Sequence, residues 1–160
     1  MKIRVIWLGR PGGSAWEEQV EAYRRRVGRR WPAEDLPLRP AAGGREADPR
    51  RALRLEARAI AERIPAGWRT VVLDRRGTML HSEAFAGMLR DQENSGTPGL
   101  VFVIGSDLGL DPEFAAGAWK RVSLGPMTLP HLLARLVLWE QLFRAADLLG
   151  GGSYHRRNVQ

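Results

Sequence analysis

Read for hydrophobic period alone, the chain alternates short continuous apolar runs with longer amphipathic stretches. Lys2 to Gly9, KIRVIWLG, is a β-branched and aromatic run of the kind expected for a strand covered on both faces. Ser14 and Glu17 form an S-x-x-E capping box, and Trp16, Val20, Tyr23 and Val27 make the apolar stripe of the helix it starts. A second, short strand falls around Asp35 to Arg39, where Pro37 confines it to a sheet edge. Pro40 to Ala47 reads as a loop, and Asp48 followed by Pro49 as the cap and first turn of a helix running to about Arg63. Arg69 to Asp74 is a third strand; Ser82 is placed to cap a helix through about Gln92; Leu100 to Gly105, LVFVIG, is a central strand. Asp111 and Pro112 begin a helix through about Trp119, and Arg121 to Gly125 is the last strand. Strands that alternate in this way with helices predict a single α/β domain built on a mostly parallel sheet flanked by helices.

The last helix, Leu132 to Leu149, is different in kind. Leu132, Leu136, Trp139, Phe143 and Ala146 form one stripe, and Leu138, Leu142, Ala145 and Leu149 form another. Because it is apolar nearly all round, it has to be buried on more than one side. One side is expected to meet the chain's own sheet and the other a second copy of the protein. Glu140, Arg144 and Asp147 fall on one narrow face and can neutralise one another. Three glycines, Gly150 to Gly152, then lead to Tyr154, His155, Arg156 and Arg157.

Parallel alternation also says where a ligand should sit, since open α/β sheets bind outside the carboxyl ends of their strands. Three strands end here in loops rich in small residues: LDRRG after Val72, IGSDLG at Gly105, and LGPMTLPH from Leu124. If the strands are parallel, all three loops face the same way and surround one small molecule.

Composition narrows the classes. At 160 residues with 44% hydrophobic content, the chain can build a core, and its longest apolar helix is broken by Arg135, Glu140, Arg144 and Asp147, which argues against a membrane span. The N-terminal apolar run is too short for a signal peptide, so a cytoplasmic protein is expected. With no cysteine and only His81, His131 and His155, neither disulfides nor a metal site are expected. The net charge of +7 comes from 25 Lys+Arg, of which only Lys2 and Lys120 are lysine. Arginine's planar fork suits phosphate, so a polyanionic partner such as nucleic acid fits this balance. Arg24 and Arg25, in the arginine cluster closing the first helix, are candidates to grip it.

At this level the residues carry a resemblance. L-x-x-M-T-L-P-H-x-L-x-R-x-x-L-x-E-Q-L-F-R-A, the Y-H-R tail, the IG-x-x-x-GL loop and the T-V-V-L-D strand, with the EAYRRR helix, together resemble the RlmH family of SPOUT methyltransferases over the whole chain. The resemblance implies a trefoil-knotted α/β fold in a homodimer. It also implies methylation of N3 of a pseudouridine in large-subunit ribosomal RNA, with S-adenosylmethionine as donor. Carried onto this chain, the donor site comprises Leu73, Gly105, Leu124, Gly125, Pro126, Met127, Thr128 and Leu129. Tyr154 would stack on or hydrogen-bond the target base, His155 is the candidate to take its proton, and Arg144 or Arg156 would stabilise the imide anion or hold phosphate. One position departs: the family usually has two glycines where this chain has Gly105 and Ser106. A side chain there either crowds the donor or points away from it, and a catalytically impaired RNA-binding or ribosome-assembly protein of the same fold is the alternative reading.

Overall fold

In the computed structural model, residues 1–12, 15–41 and 48–152 are described. The strands are β1 (Lys2–Leu8), β2 (Ala33–Leu38), β3 (Arg69–Met79), β4 (Gly99–Ile104) and β5 (Lys120–Ser123). The helices are α1 (Ala15–Val27), α2 (Pro49–Ala61), α3 (Ser82–Asn94), α4 (Pro112–Gly117) and α5 (His131–Leu149). All pairings in the sheet are parallel, in the order β2-β1-β4-β3-β5. The edge position expected of the proline-bearing β2 is therefore observed.

Alternation along the strands divides the core in two. Ile3, Val5 and Trp7 of β1 and Leu100, Phe102 and Ile104 of β4 pack with Val20 and Val27 of α1, Leu89 of α3, and Leu138, Trp139 and Leu142 of α5. Ile6, Leu8, Val101 and Val103 point the other way, toward Ile60 of α2 and Ala115 of α4. Every residue of β4 is buried, which is why its sequence shows no polar alternation.

α5 lies between α1 and α3 on the sheet, and each of its residues is buried or half-buried. Its all-round apolarity thus has a cause inside the chain, because three neighbouring surfaces already cover it. What remains is a half-buried stripe of Leu133, Val137, Glu140, Arg144 and Leu148.

Several local readings change. Trp16 is 47% exposed, since α1 meets the core only from Val20 onward. The capping box with Ser14 falls outside the described residues, and the Glu17 carboxylate accepts from Arg135. Ser82 is not a cap: His81 holds that position, while the Ser82 hydroxyl donates to Gln141 of α5 at 2.7 Å. Asp48 and Asp111 do cap α2 and α4, but α4 stops at Gly117 because Ala118 is already extended. β3 continues past Asp74 to Met79 through a bulge, with Leu73 and Thr78 both opposite Val122. Gly77 makes that return possible, because a Cβ there would stand 2.7 Å from the backbone of Arg121 and Val122.

Candidate functional site

The carboxyl ends of β3, β4 and β5 open into a cleft of about 790 Å³. Leu73 to Arg76 form one wall, Ile104 to Leu110 a second, and the segment from Leu124 to His131, less Pro126, a third. Leu73, Gly105, Leu124, Gly125, Met127, Thr128 and Leu129, drawn from loops as far as 56 positions apart in sequence, share this one space. Pro126 lies within the third loop but outside the lining.

Each wall is held by an identifiable device. The second wall is a tight turn in which the Gly109 N–H donates to the Ser106 carbonyl at 2.8 Å. A Cβ on Gly105 would lie 2.3 Å from the Gly109 carbonyl oxygen, so the turn closes only over glycine. In the third wall the Ser123 hydroxyl donates to the Gly125 carbonyl at 2.9 Å, and Gly125 has φ 145°. His131, at the start of α5, stacks on Trp7 with ring centroids 6.3 Å apart, and its Nδ1 is 3.3 Å from the Asp107 carboxylate. In the first wall Asp74 accepts the Arg76 N–H at 2.9 Å. Burial pushes the Asp74 carboxyl up, but the Arg76 N–H, the Arg76 charge and Arg121 outweigh it and hold its pKa below the usual carboxylate value.

Ser106 has a partner the sequence does not announce. Its hydroxyl donates to Oε2 of Glu56 at 2.9 Å, and Oε1 of the same carboxylate accepts the Ala41 N–H at 2.9 Å. Glu56, on α2, is only 3% exposed. The Ser106 side chain is therefore directed at a buried carboxylate. Ser106→Gly should leave donor binding no tighter while removing one of the two hydrogen bonds that Glu56 accepts among the described residues, a loss of about 1–3 kcal/mol in denaturant unfolding. Tighter binding by the glycine variant would mean that the side chain crowds the cleft after all.

The other candidates lie elsewhere. Because α1 and α5 run antiparallel to the strands they cover, their C-terminal ends sit at the opposite end of the sheet from the cleft. Arg24 is there, bidentate on Glu21 at 2.8 and 2.7 Å and donating to the Ala33 carbonyl at 2.8 Å. Arg25 beside it is 70% exposed. Arg144 is bound one turn along α5 to Glu140, at 3.1 and 2.5 Å. Tyr154, His155 and Arg156 fall outside the described residues.

Among the described residues no helix is long and apolar enough to cross a membrane, and no group of His, Cys, Asp or Glu is arranged to hold a metal ion.

A family described as "Predicted SPOUT methyltransferase" matches residues 1–155. The chain belongs to the SPOUT methyltransferase family. Among its relatives is a "Ribosomal RNA large subunit methyltransferase H" of Stenotrophomonas maltophilia (strain R551-3), 38% identical over 98% of this chain and 99% of the relative. Proteins of the same name from Geobacter sp. (strain M21) and Rhodopseudomonas palustris (strain HaA2) are 35% and 37% identical, again over at least 97% of this chain and 99% of each relative. As a SPOUT methyltransferase the chain is expected to need space for a methyl donor, and the cleft suits one. Leu73, Leu108, Leu110, Leu124, Met127 and Leu129 give it apolar walls, while turn backbone supplies polar groups. Gly105→Ala should force the second wall to shift and weaken donor binding by roughly tenfold or more, measured by calorimetry.

Proposed function

We propose that this chain is an S-adenosylmethionine-dependent methyltransferase of large-subunit ribosomal RNA, acting on N3 of a pseudouridine as a homodimer. The observation that carries the reading is the single cleft into which three loops distant in sequence converge, at the positions where the family resemblance puts the donor. Names of the full-length relatives support the substrate class. Bound there, the donor supplies a methyl group on a cationic sulfur. The chain's own work is to fix the reacting atoms in line, to remove the imide proton and to stabilise the charge left behind. In this reading Leu124 to Leu129 and Gly105 position the donor, while Tyr154, His155 and Arg156 act on the base.

Reach supports the dimer. α5 begins at the cleft with His131 and runs away from it for 19 residues, about 28 Å. His155 follows Gly152 by three residues, which span at most about 11 Å. The tail therefore falls short of its own chain's cleft, and its chemistry belongs to the cleft of a partner. In that arrangement Arg144, on the half-buried stripe of α5, would also act across the interface. The alternative of an impaired RNA-binding protein rested on Ser106, and the Glu56 contact removes that support. Titration calorimetry with S-adenosylmethionine tests the reading: saturable binding to one site per chain is expected, and no heat of binding would overturn it.

A further inference from the structure

The sheet edge beside the cleft carries an arrangement that donor binding does not use. β5 is an edge strand, and Trp119, Lys120 and Arg121 stand where the chain enters it. Trp119 is 38% exposed, with the Arg69 guanidinium 4.9 Å from its ring centroid and the Lys120 ammonium 5.8 Å away. Further along the same edge, the β3 bulge carries Arg75 and Arg76, both exposed, on the rim of the cleft. The bulge is built rather than slack: Asp74 fixes the Arg76 N–H, and Gly77 lies against the β5 backbone. Arg121 acts on Asp74 from the adjoining strand, so two guanidiniums, those of Arg76 and Arg121, share one carboxylate. Among the described residues, Arg69, Arg75, Lys120 and Arg121 have no ion-pair partner within 4.0 Å, and Arg76 has only Asp74 at 3.5 Å.

We propose that this stripe of five cations and one indole is a phosphate-backbone track for RNA, leading the strand that holds the target base into the cleft. The inference rests on the ribosomal RNA reading above and deepens it. Cations at a sheet edge also discourage edge-to-edge association, but that role needs neither arginines on a bulge outside the edge strand nor an exposed tryptophan. Guanidiniums fit phosphate through paired donors, and an aromatic face among them offers a platform for an unpaired base. The stripe runs from the N-terminal residue of β3 to the cleft mouth, whereas Arg24 at the far end of the sheet is already engaged by Glu21.

The test uses the full chain with Arg69→Thr and Arg121→Thr combined, both exposed and outside the cleft lining, and Trp119→Ala separately, against purified large ribosomal subunits and S-adenosylmethionine. Neither arginine packs in the core, and threonine preserves strand propensity at both positions. The double variant should bind subunits about tenfold more weakly at moderate salt and flatten the slope of log affinity against log salt by roughly 1.5, as loss of two phosphate contacts requires. Trp119→Ala should weaken subunit binding about tenfold with little change in that slope. Donor affinity should not move in either. If both variants bind subunits like the wild type, the track is overturned and the arginines merely protect the edge. If donor affinity falls while subunit binding holds, the arginines serve the donor and the proposal is wrong. A wild-type chain that binds donor but no subunits would overturn the track together with the RNA reading.

Discussion

A chain ended at Gly152 is expected to fold and to bind S-adenosylmethionine with wild-type affinity, yet to transfer no detectable methyl group to ribosomal RNA. The cleft-lining residues span Leu73 to Ala134, so the truncation leaves the walls, α5 and both core clusters in place. It removes Tyr154, His155 and Arg156, which the reading makes responsible for the base and its proton. Mixing is informative as well. If, as proposed, the tail serves the cleft of a partner, a truncated chain paired with a full-length chain defective at Gly105 should recover part of the activity. Recovery comes from the mixed dimer, where an intact cleft meets an intact tail. Full turnover by the truncated chain alone would remove the tail from the mechanism.

The largest effect on stability is expected at Arg135. Its side chain is 5% exposed and meets two carboxylates, Glu17 at 2.7 and 2.9 Å and Asp35 at 3.0 and 2.7 Å. Its guanidinium also lies 4.1 Å from the Trp7 ring centroid. Burial alone would lower the Arg135 pKa, but its hydrogen bonds to Glu17 and Asp35 raise it above the usual arginine value. Asp35 in turn accepts the indole N–H groups of Trp7 at 2.9 Å and Trp139 at 2.7 Å. One network thus joins β1, β2, α1 and α5. Arg135→Met keeps the stem but leaves two carboxylates without their cation, at a cost of about 3–5 kcal/mol. For a domain whose total stability is of the order of 5–15 kcal/mol, that is a large fraction. Denaturant unfolding should show the loss in the midpoint with an unchanged slope, and a shift below about 1 kcal/mol would mean that the network is not what fixes α5.

Much of this molecule could be read from period and punctuation. The continuous apolar runs at Lys2 and Leu100 are strands buried on both faces, and Asp48–Pro49 and Asp111–Pro112 do start helices. The cleft was legible because a parallel sheet sends successive strand ends the same way, so loops rich in small residues had to meet. Side-chain partners across long separations were not legible. Nothing local indicates that Glu17 would bind Arg135, 118 positions on, or that Ser106 would find Glu56. The bulge of β3 was hidden for a related reason: DRRG reads as a turn, and only the neighbouring β5 backbone makes it part of the sheet. α5 looked like an interface helix because its apolar residues exceed what one contact surface can cover. Two flanking helices and the sheet account for most of them, and the case for a partner now lies in the shortness of the tail. Hydrophobic pattern carries no information on chain threading, so the expectation of a knot rests on the family resemblance alone.

Methyl transfer itself can be assayed directly. Purified chain is incubated with large ribosomal subunits and S-adenosylmethionine labelled on the methyl carbon, and the extracted RNA is digested to nucleosides and separated. Label is expected in large-subunit ribosomal RNA as N3-methylpseudouridine, and is expected to be absent when the Gly152-truncated chain is used. Label confined to another nucleoside, or an unlabelled RNA in the presence of a chain that demonstrably binds the donor, would contradict the proposed reaction.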